Sequence, residues 1–157
     1  MTMTLEYLYH GSPNYIEGKV EPRQGKDINN KPEKNLFGIY ATDNLEIAIS
    51  KAILSCRGIR GLTYLNSGRK EPPYGVIFSG WPKAEDIYIY KLPMITFKPV
   101  SKHSWISPVP VLPIELQIMQ VRDFIHLVRK ATLLEKIYLF FEYGPRVALR
   151  YLGFDKL

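Results

Sequence analysis

The sequence predicts one domain of the α+β class. Segments rich in β-branched and aromatic residues occur near the amino terminus and through the middle of the chain, whereas helical periodicity is confined to two segments. Strands and helices do not alternate regularly, which argues against a doubly wound parallel sheet. The chain has 157 residues, of which 46% are hydrophobic and 23% charged, and this suits one domain with a sizeable core.

Charge and composition limit the classes of partner. The formal net charge is +6, and a positive surface attracts phosphate-bearing ligands. Because the lysines and arginines are spread along the chain, dedicated nucleic-acid binding is not favoured, and a phosphate-bearing ligand stays compatible with the charge. No apolar run approaches the roughly 18 residues of a membrane span, and the first ten residues lack the features of a secretory signal. The only cysteine, Cys56, excludes an internal disulfide, so we expect a cytoplasmic protein without membrane association.

The first part of the chain predicts a strand, a loop and a second strand. Residues 5–12 alternate apolar and polar side chains and break at Gly11-Ser12-Pro13, which predicts a strand that runs into a turn. Residues 18–34 are rich in Lys, Asn, Gly and Pro, which is typical of a surface loop. Residues 35–41 form a short apolar run of β character.

A helix is predicted directly after this run. Asp43 is the predicted N-cap, with Glu46 as its capping-box partner. Apolar residues then recur at helical spacing and predict one buried face, formed by Leu45, Ala48, Ile49, Ala52, Ile53 and Cys56. A basic loop follows over residues 57–73.

The middle of the chain is predicted to be mostly β. Its composition and its punctuation by proline predict three strands, over residues 74–81, 86–91 and 94–100. Residues 101–113 are rich in proline and are predicted to form a stiff, exposed loop. A further strand is predicted over residues 114–124.

The periodicity becomes helical from Ile125 to Phe141. Thr132 and Glu135 indicate a second helix start within this run, and Gly144-Pro145 is predicted to end it. A short amphipathic piece over residues 146–152 is predicted to follow.

This change of periodicity suggests two parts within one domain. Residues 1–124 are expected to form the core, and residues 125–157 a helical extension packed on it. Residues 133–141 are apolar on nearly all sides, more than one buried face requires. Self-association through the C-terminal helices is therefore a further expectation.

Two motifs place polar or aromatic side chains at the ends of predicted strands. His10 can offer a ring N–H to a ligand hydroxyl, while Gly11 lets a ligand approach the backbone closely. Tyr40 lies just before the predicted helix, where its ring can stack on a flat heterocycle. Taken singly, a structural histidine and a core tyrosine are the commoner interpretations, but the pair is more specific.

Together these motifs resemble a known enzyme family. An apolar-Tyr-His-Gly-Ser turn, a polar loop, then Gly-Ile-Tyr-Ala-Thr-Asp and an alanine-rich helix, all within residues 8–52, are similar to the N-terminal half of ADP-ribosyltransferases. The similarity is to the His-Tyr-acid branch, which includes the diphtheria-toxin, poly(ADP-ribose) polymerase and rifampicin-modifying groups. It implies a split antiparallel or mixed β-sheet core with a C-terminal helical tail. It also implies a glycosyltransferase that uses NAD as co-substrate and transfers ADP-ribose to a macromolecular acceptor, either protein or nucleic acid.

The resemblance implies a role for each matched residue. His10 would bind the ribose on the adenosine side of NAD, and the backbone of Gly11, with Ser12 beside it, would hold the nicotinamide amide. Tyr40 would stack on the nicotinamide ring, which is cationic in NAD+. In this branch a glutamate at the start of a late strand binds the 2′-hydroxyl of the nicotinamide ribose and stabilises an oxocarbenium-like state. Glu115 fits this position best.

The identity of the acid has rivals. Glu115 alternates with apolar neighbours along its strand, so a merely solvent-facing position stays open. Glu85, Asp86 and Asp123 are the alternative carboxylates. The rifampicin-modifying enzymes use an earlier aspartate, and no counterpart lies between Lys91 and Ile114, which argues against an antibiotic substrate.

Other functions stay open at this point. An RNA 2′-phosphotransferase-like enzyme also consumes NAD but needs more arginines near its histidine than Arg23 alone. A catalytically inactive domain would bind nucleotide or protein without turnover, and an unrelated basic domain would bind nucleic acid in a salt-sensitive way. One cysteine and three scattered histidines do not make a zinc site, so no metal is expected.

Overall fold

The computed structural model describes residues 6–25 and 35–152, so most of the predicted loop over residues 18–34 lies outside the described part. The described fold is α+β, as predicted. Its elements in chain order are β1 (Tyr7–Ser12), β2 (Arg23–Gln24), β3 (Phe37–Ala41), α1 (Leu45–Leu54), β4 (Thr63–Leu65), β5 (Gly75–Ile77), β6 (Asp86–Pro93), β7 (Lys98–Ser101), β8 (Ser104–Ser107), β9 (Glu115–Gln120), α2 (Val121–Phe124), β10 (Val128–Lys130), α3 (Leu133–Tyr143) and α4 (Pro145–Tyr151).

The strands form three small sheets. The first is antiparallel with the order β1-β6-β9, and the second is antiparallel with the order β2-β3-β8-β7. In the third sheet β5 pairs with β4 antiparallel and with β10 parallel. The first two sheets meet where β1 and β3 touch: Tyr9 N donates to Thr42 O at 2.7 Å, and Thr42 N donates to Tyr9 O at 2.9 Å. The end of β3 is thereby fixed beside β1.

The β1-β6-β9 sheet has apolar clusters on both of its faces. On one face α1 packs against Ile87 and Ile89 of β6, together with Leu127. On the other face Leu8, Tyr90 and Leu92 pack with side chains that include Ile39, Val111 and Phe97. β6 is rich in Ile and Tyr, and this β-rich composition is the signal from which a strand was predicted over residues 86–91.

The helix after β3 is confirmed, but its predicted cap is wrong. Asn44, not Asp43, is the N-cap, and its side chain accepts hydrogen bonds from the backbone N–H groups of Glu46 and Ile47. The Asp43 carboxylate instead binds His103, and the Glu46 carboxylate accepts a hydrogen bond from Tyr74. The predicted apolar stripe lies in the core or against it, as expected.

Four predictions in the middle of the chain were wrong in part. The segment 57–73 is not wholly loop, because β4 lies within it. The segment 101–113 is not wholly loop, because β8 lies within it and pairs with β3. The residues of β8 precede the prolines at 108, 110 and 113, so their N–H groups are free to pair. The segment 94–100 begins as a 3-10 helix over Met94–Thr96 before β7 starts, and the strand predicted over 114–124 ends at Gln120, where α2 begins.

The helix predicted from Ile125 begins later. Residues 125–127 form a 3-10 turn, and β10 follows it in the third sheet. Leu127 O accepts a hydrogen bond from Tyr74 N at 2.8 Å, and the residues that follow Leu127 pair with β5. The backbone here therefore forms strand hydrogen bonds and not helical ones. The second helix start was correct: Thr132 and Glu135 form a capping box at the start of α3, and Gly144 ends that helix.

Candidate functional site

His10 lies in β1 and is hydrogen-bonded to the backbone beside it. Its Nδ1 lies 2.8 Å from the carbonyl oxygen of Tyr40. A carbonyl oxygen only accepts, so Nδ1 carries the proton, and Nε2 of the neutral ring is left as an acceptor. The predicted role of His10 as a donor is therefore reversed. A hydroxyl of a bound ligand would be the donor to Nε2.

The surroundings of His10 keep its ring neutral. Burial, with smaller contributions from the positive charges of Lys51 and Arg23, lowers the pKa of His10 to about 4, although the bond to Tyr40 acts in the opposite direction. At pH 7 the two cations therefore act beside an uncharged imidazole. Such a surface suits a ligand with negatively charged phosphates.

Tyr40 lies near the end of β3. Its hydroxyl accepts a hydrogen bond from Leu36 N at 3.0 Å. The ammonium of Lys51, on α1, lies 5.1 Å from the centre of the Tyr40 ring. A ring that accepts one cation on its face has the electronic character needed to stack on a cationic heterocycle.

Gly11 and Ser12 follow His10 and have different surroundings. A Cβ on Gly11 would collide with the carbonyl oxygen of Ala48 on α1, so only glycine lets the helix lie this close to β1. Ser12 is buried, and its hydroxyl donates to Asn14 O at 2.7 Å while accepting from Asn14 N at 3.2 Å. The Ser12 side chain therefore closes a local turn, and we leave it out of the proposed ligand contacts.

Glu115 begins β9 and is half-exposed. Its carboxylate lies 3.9 Å from Lys91 Nζ and accepts a hydrogen bond from the Gln117 amide at 3.0 Å. Lys91 also lies over the ring of Tyr7, with Nζ 3.7 Å from the ring centre. Two polar groups thus hold the carboxylate in place.

Glu115 belongs to a row of four residues that crosses four strands. Thr42 is paired with Tyr9, Tyr9 with Lys91, and Lys91 with Glu115. Directly paired residues of antiparallel strands project from the same face, so these four side chains, the cross-strand row, share one face. At about 4.8 Å per strand the row spans roughly 14 Å.

The two faces of the sheet separate the predicted site residues into two groups. Tyr40 lies two residues before Thr42 and Gly11 two residues after Tyr9, so both belong to the face of the cross-strand row, where α1 also packs. His10 projects from the other face and its ring centre lies 6.5 Å from that of Tyr90. The structure therefore brings Tyr40, Gly11 and Glu115 to one face, with His10 directly behind them.

The rival acids lie elsewhere. Asp86 is paired with Gln120 at the opposite end of β6 and β9 from Glu115, about 17 Å along the strand from Lys91. Glu85 is exposed beside it, and Asp123 lies on α2 near Arg122. None of the three lies near the His10–Tyr40 contact.

Lys51 and Lys91 were not singled out from the sequence, and Tyr9 was noted only as part of the motif around His10. Lys51 reaches Tyr40 from the last turn of α1, while Tyr9 and Lys91 complete the cross-strand row. The hydrogen bond with Tyr7, then burial and the charges of Tyr7 and Glu115, raise the pKa of Tyr9. The alternation of Tyr7 and Tyr9 with Leu8 and His10 was the available signal, but the pairing with Lys91 depends on long-range register. The positive charge beside the Tyr40 ring comes from Lys51, whose ammonium lies 5.1 Å from the ring centre.

Comparison with known proteins identifies no relative of this chain. No protein-family model, no curated protein and no solved structure matches the chain. Within residues 6–25 and 35–152, no group of three His, Cys, Asp or Glu side chains is placed to hold a metal ion. Over the same ranges, no helix has the length and apolar character to cross a membrane.

Proposed function

We propose that the protein is an NAD-dependent mono-ADP-ribosyltransferase that acts on a macromolecular acceptor. The observation that carries the proposal is the hydrogen bond between His10 and the Tyr40 backbone, because it joins the two motifs of the resemblance, which lie thirty positions apart in the sequence. The β1–β3 contact at Tyr9 and Thr42 holds the same junction from the backbone side.

The division of residues between the two faces supports the proposed roles. The groups assigned to the nicotinamide half of NAD, Gly11, Tyr40 and Glu115, share one face, whereas His10, assigned to the adenosine ribose, projects from the other. NAD would therefore pass over the end of β1, with its diphosphate near the positive charges of Lys51 and Arg23, the cations that act on His10.

The proposed reaction is a substitution at the nicotinamide ribose. The bond between C1″ and the nicotinamide nitrogen breaks, and its electron pair leaves with neutral nicotinamide. Glu115 stabilises the positive charge that develops on the ribose. The acceptor nucleophile then bonds to C1″ and releases its proton to solvent.

One observation favours a second candidate function, a nucleotide-binding domain without catalysis. The ammonium of Lys91 lies close to the Glu115 carboxylate. A carboxylate already paired with a cation stabilises a developing positive charge less well than a free one. In this alternative NAD binds but is not cleaved.

The test follows NAD turnover in the full-length protein. The protein is incubated with a cell extract and NAD labelled on the adenylate, and both free nicotinamide and label transfer are measured. For Glu115→Gln we expect nicotinamide release to fall about 100-fold or more, with NAD affinity by calorimetry retained. Asp86→Asn is the matched control, because it removes a carboxylate at the far end of the same sheet, and it should turn over like the wild type.

The outcomes separate the candidates. Loss of both activities in His10→Ala and Tyr40→Ala, together with the Glu115→Gln result, would support the transferase. Normal turnover by Glu115→Gln would show that another group stabilises the ribosyl cation. NAD binding without nicotinamide release would select the inactive domain, and absence of NAD binding would overturn both candidates.

A further inference from the structure

Helix α3 presents a large apolar surface to solvent. Six of its eleven residues are large, apolar or aromatic and exposed, with Phe141 at 85% and Leu134 at 78% of full exposure. The six are Leu133, Leu134, Ile137, Tyr138, Phe140 and Phe141. The helix contacts its own domain mainly through Leu139, which packs with Ala148 and Leu152. The exposed surface is therefore additional to the face that holds α3 in place.

Four of these residues form one continuous stripe. Leu134, Ile137, Tyr138 and Phe141 follow the spacing i, i+3, i+4 and i+7, which places them on one side of the helix. This is the pattern with which two helices pack against each other. The stripe runs along nearly the whole of α3, which is about 16 Å long.

The stripe is complementary to itself under a two-fold rotation. In an antiparallel pair centred between Ile137 and Tyr138, Leu134 of one copy meets Phe141 of the partner subunit, and Ile137 meets Tyr138 of the partner subunit. Each contact sets an aliphatic side chain against an aromatic ring. A closed two-fold interface requires this kind of self-match, because the same patch must serve both sides.

The exposed area of the stripe is more than half of what a stable dimer needs. With about 150–200 Å² for each side chain, the four stripe residues, which are 41–85% exposed, expose on the order of 400–500 Å² per copy. A standard interface takes about 800 Å² from each partner, whereas isolated apolar patches on monomers rarely exceed a few hundred Å².

The charges next to the stripe do not oppose pairing. Glu135 is held by Arg129 of its own chain at 2.6 Å, and Glu142 accepts a hydrogen bond from the Tyr138 hydroxyl at 3.1 Å. Repulsion between copies comes instead from the net charge of +6 and acts at long range. Salt would therefore strengthen the association.

We propose that the protein forms a two-fold dimer in which α3 packs antiparallel against α3 of a second copy. This inference is independent of the proposed NAD chemistry, because α3 lies outside the His10–Tyr40 region.

Sedimentation velocity of the full chain over a range of concentrations tests the dimer. We expect a species of twice the 18.2 kDa chain mass, and tighter association at higher salt. Leu134→Glu with Phe141→Glu should weaken association at least 100-fold, since it places four carboxylates in the interface. Ile95→Glu is the matched control: Ile95 is equally exposed but lies far along the chain on the 3-10 helix before β7, so this variant should dimerise like the wild type.

Disulfide trapping tests the antiparallel arrangement. Leu134→Cys and Phe141→Cys chains are mixed under mild oxidation, and the mixed disulfide should form faster than either symmetric one. The natural Cys56 is buried and should not compete. Faster symmetric products would overturn the antiparallel geometry. A monomer at every concentration, or a monomer that sediments with phosphatidylcholine–phosphatidylserine vesicles, would overturn the dimer, the latter in favour of a lipid surface.

Discussion

The protonation of His10 is coupled to folding, since its pKa lies near 4 in the folded protein and near 6.5 in an unfolded chain. Between these values the unfolded state binds a proton that the folded state does not. Stability is therefore unaffected above about pH 6.5 and falls as the pH decreases towards 4. The full shift would correspond to roughly 3 kcal/mol, but because part of the ring reaches solvent we expect a loss of about 1–2 kcal/mol.

Urea unfolding at pH 7, 5 and 4 measures this loss. His10→Gln is the control, because an amide can still donate to the Tyr40 carbonyl but does not titrate over this range. The unfolding free energy of the wild type, relative to that of the variant, should decrease as the pH falls from 7 to 4. Parallel profiles would show that the pKa of His10 does not differ between the folded and the unfolded protein.

The position of Gly11 sets the distance between β1 and α1. In Gly11→Ala the new methyl group would meet the Ala48 carbonyl, a backbone atom that cannot move without displacing the helix. We expect unfolding free energy to fall by about 2 kcal/mol or more. In Gly68→Ala, by contrast, the methyl group would meet only Asn66 Oδ1 at 3.4 Å, so a change within about 0.5 kcal/mol is expected. Equal stability of the two variants would contradict the close approach of α1.

At the scale of elements, α3 depends on its N-terminal cap. The Thr132 hydroxyl accepts from Glu135 N, and the Glu135 carboxylate accepts from Thr132 N and from Arg129. Arg129 first, with the Thr132 hydrogen bonds, lowers the pKa of Glu135 to about 2. α3 buries only one of its faces, so the cap adds to the packing of Leu139 in holding the helix.

Thr132→Ala should therefore destabilise α3 locally. The expected loss is about 1 kcal/mol, measured as faster amide hydrogen exchange over residues 133–143. Amides of α1, which has its own Asn44 cap, provide the internal reference and should be unchanged. Uniform acceleration across both helices would indicate global rather than local destabilisation.

Elements were predictable where local signals were sufficient. The capping box at Thr132 and the apolar stripe of α1 depend on residues close in sequence, and both were found. The exact cap of α1 was missed by one residue because Asp43 and Asn44 are both good caps, and the sequence gives no local sign that the Asp43 carboxylate binds the distant His103 instead. The strand β8 was missed because its proline-rich flank outweighed four residues free of proline, and β10 because Leu127 and Val128 fit a helical pattern equally well.

At the scale of the whole molecule, long-range pairing determines the candidate site. The sequence placed His10 and Tyr40 at strand ends but contained no local sign that Nδ1 would bind the Tyr40 carbonyl. The pairing of Glu115 with Lys91 was likewise out of reach, because the cross-strand row depends on the register of β1, β6 and β9. Register over such separations is set by burial on both faces of the sheet, which is a property of the complete fold.

The parallel pairing of β10 with β5 also constrains how the chain is made. The ribosome releases β4 and β5 well before β10, so during synthesis one edge of β5 has open backbone groups and Gly75–Ile77 lacks its neighbour. Leu127 and Val128, which complete the apolar cluster under α1, arrive equally late. The nascent chain therefore passes through a stage with an exposed, aggregation-prone strand edge. Premature termination before residue 128 would leave a product suited to capture by chaperones or proteases rather than a smaller folded core.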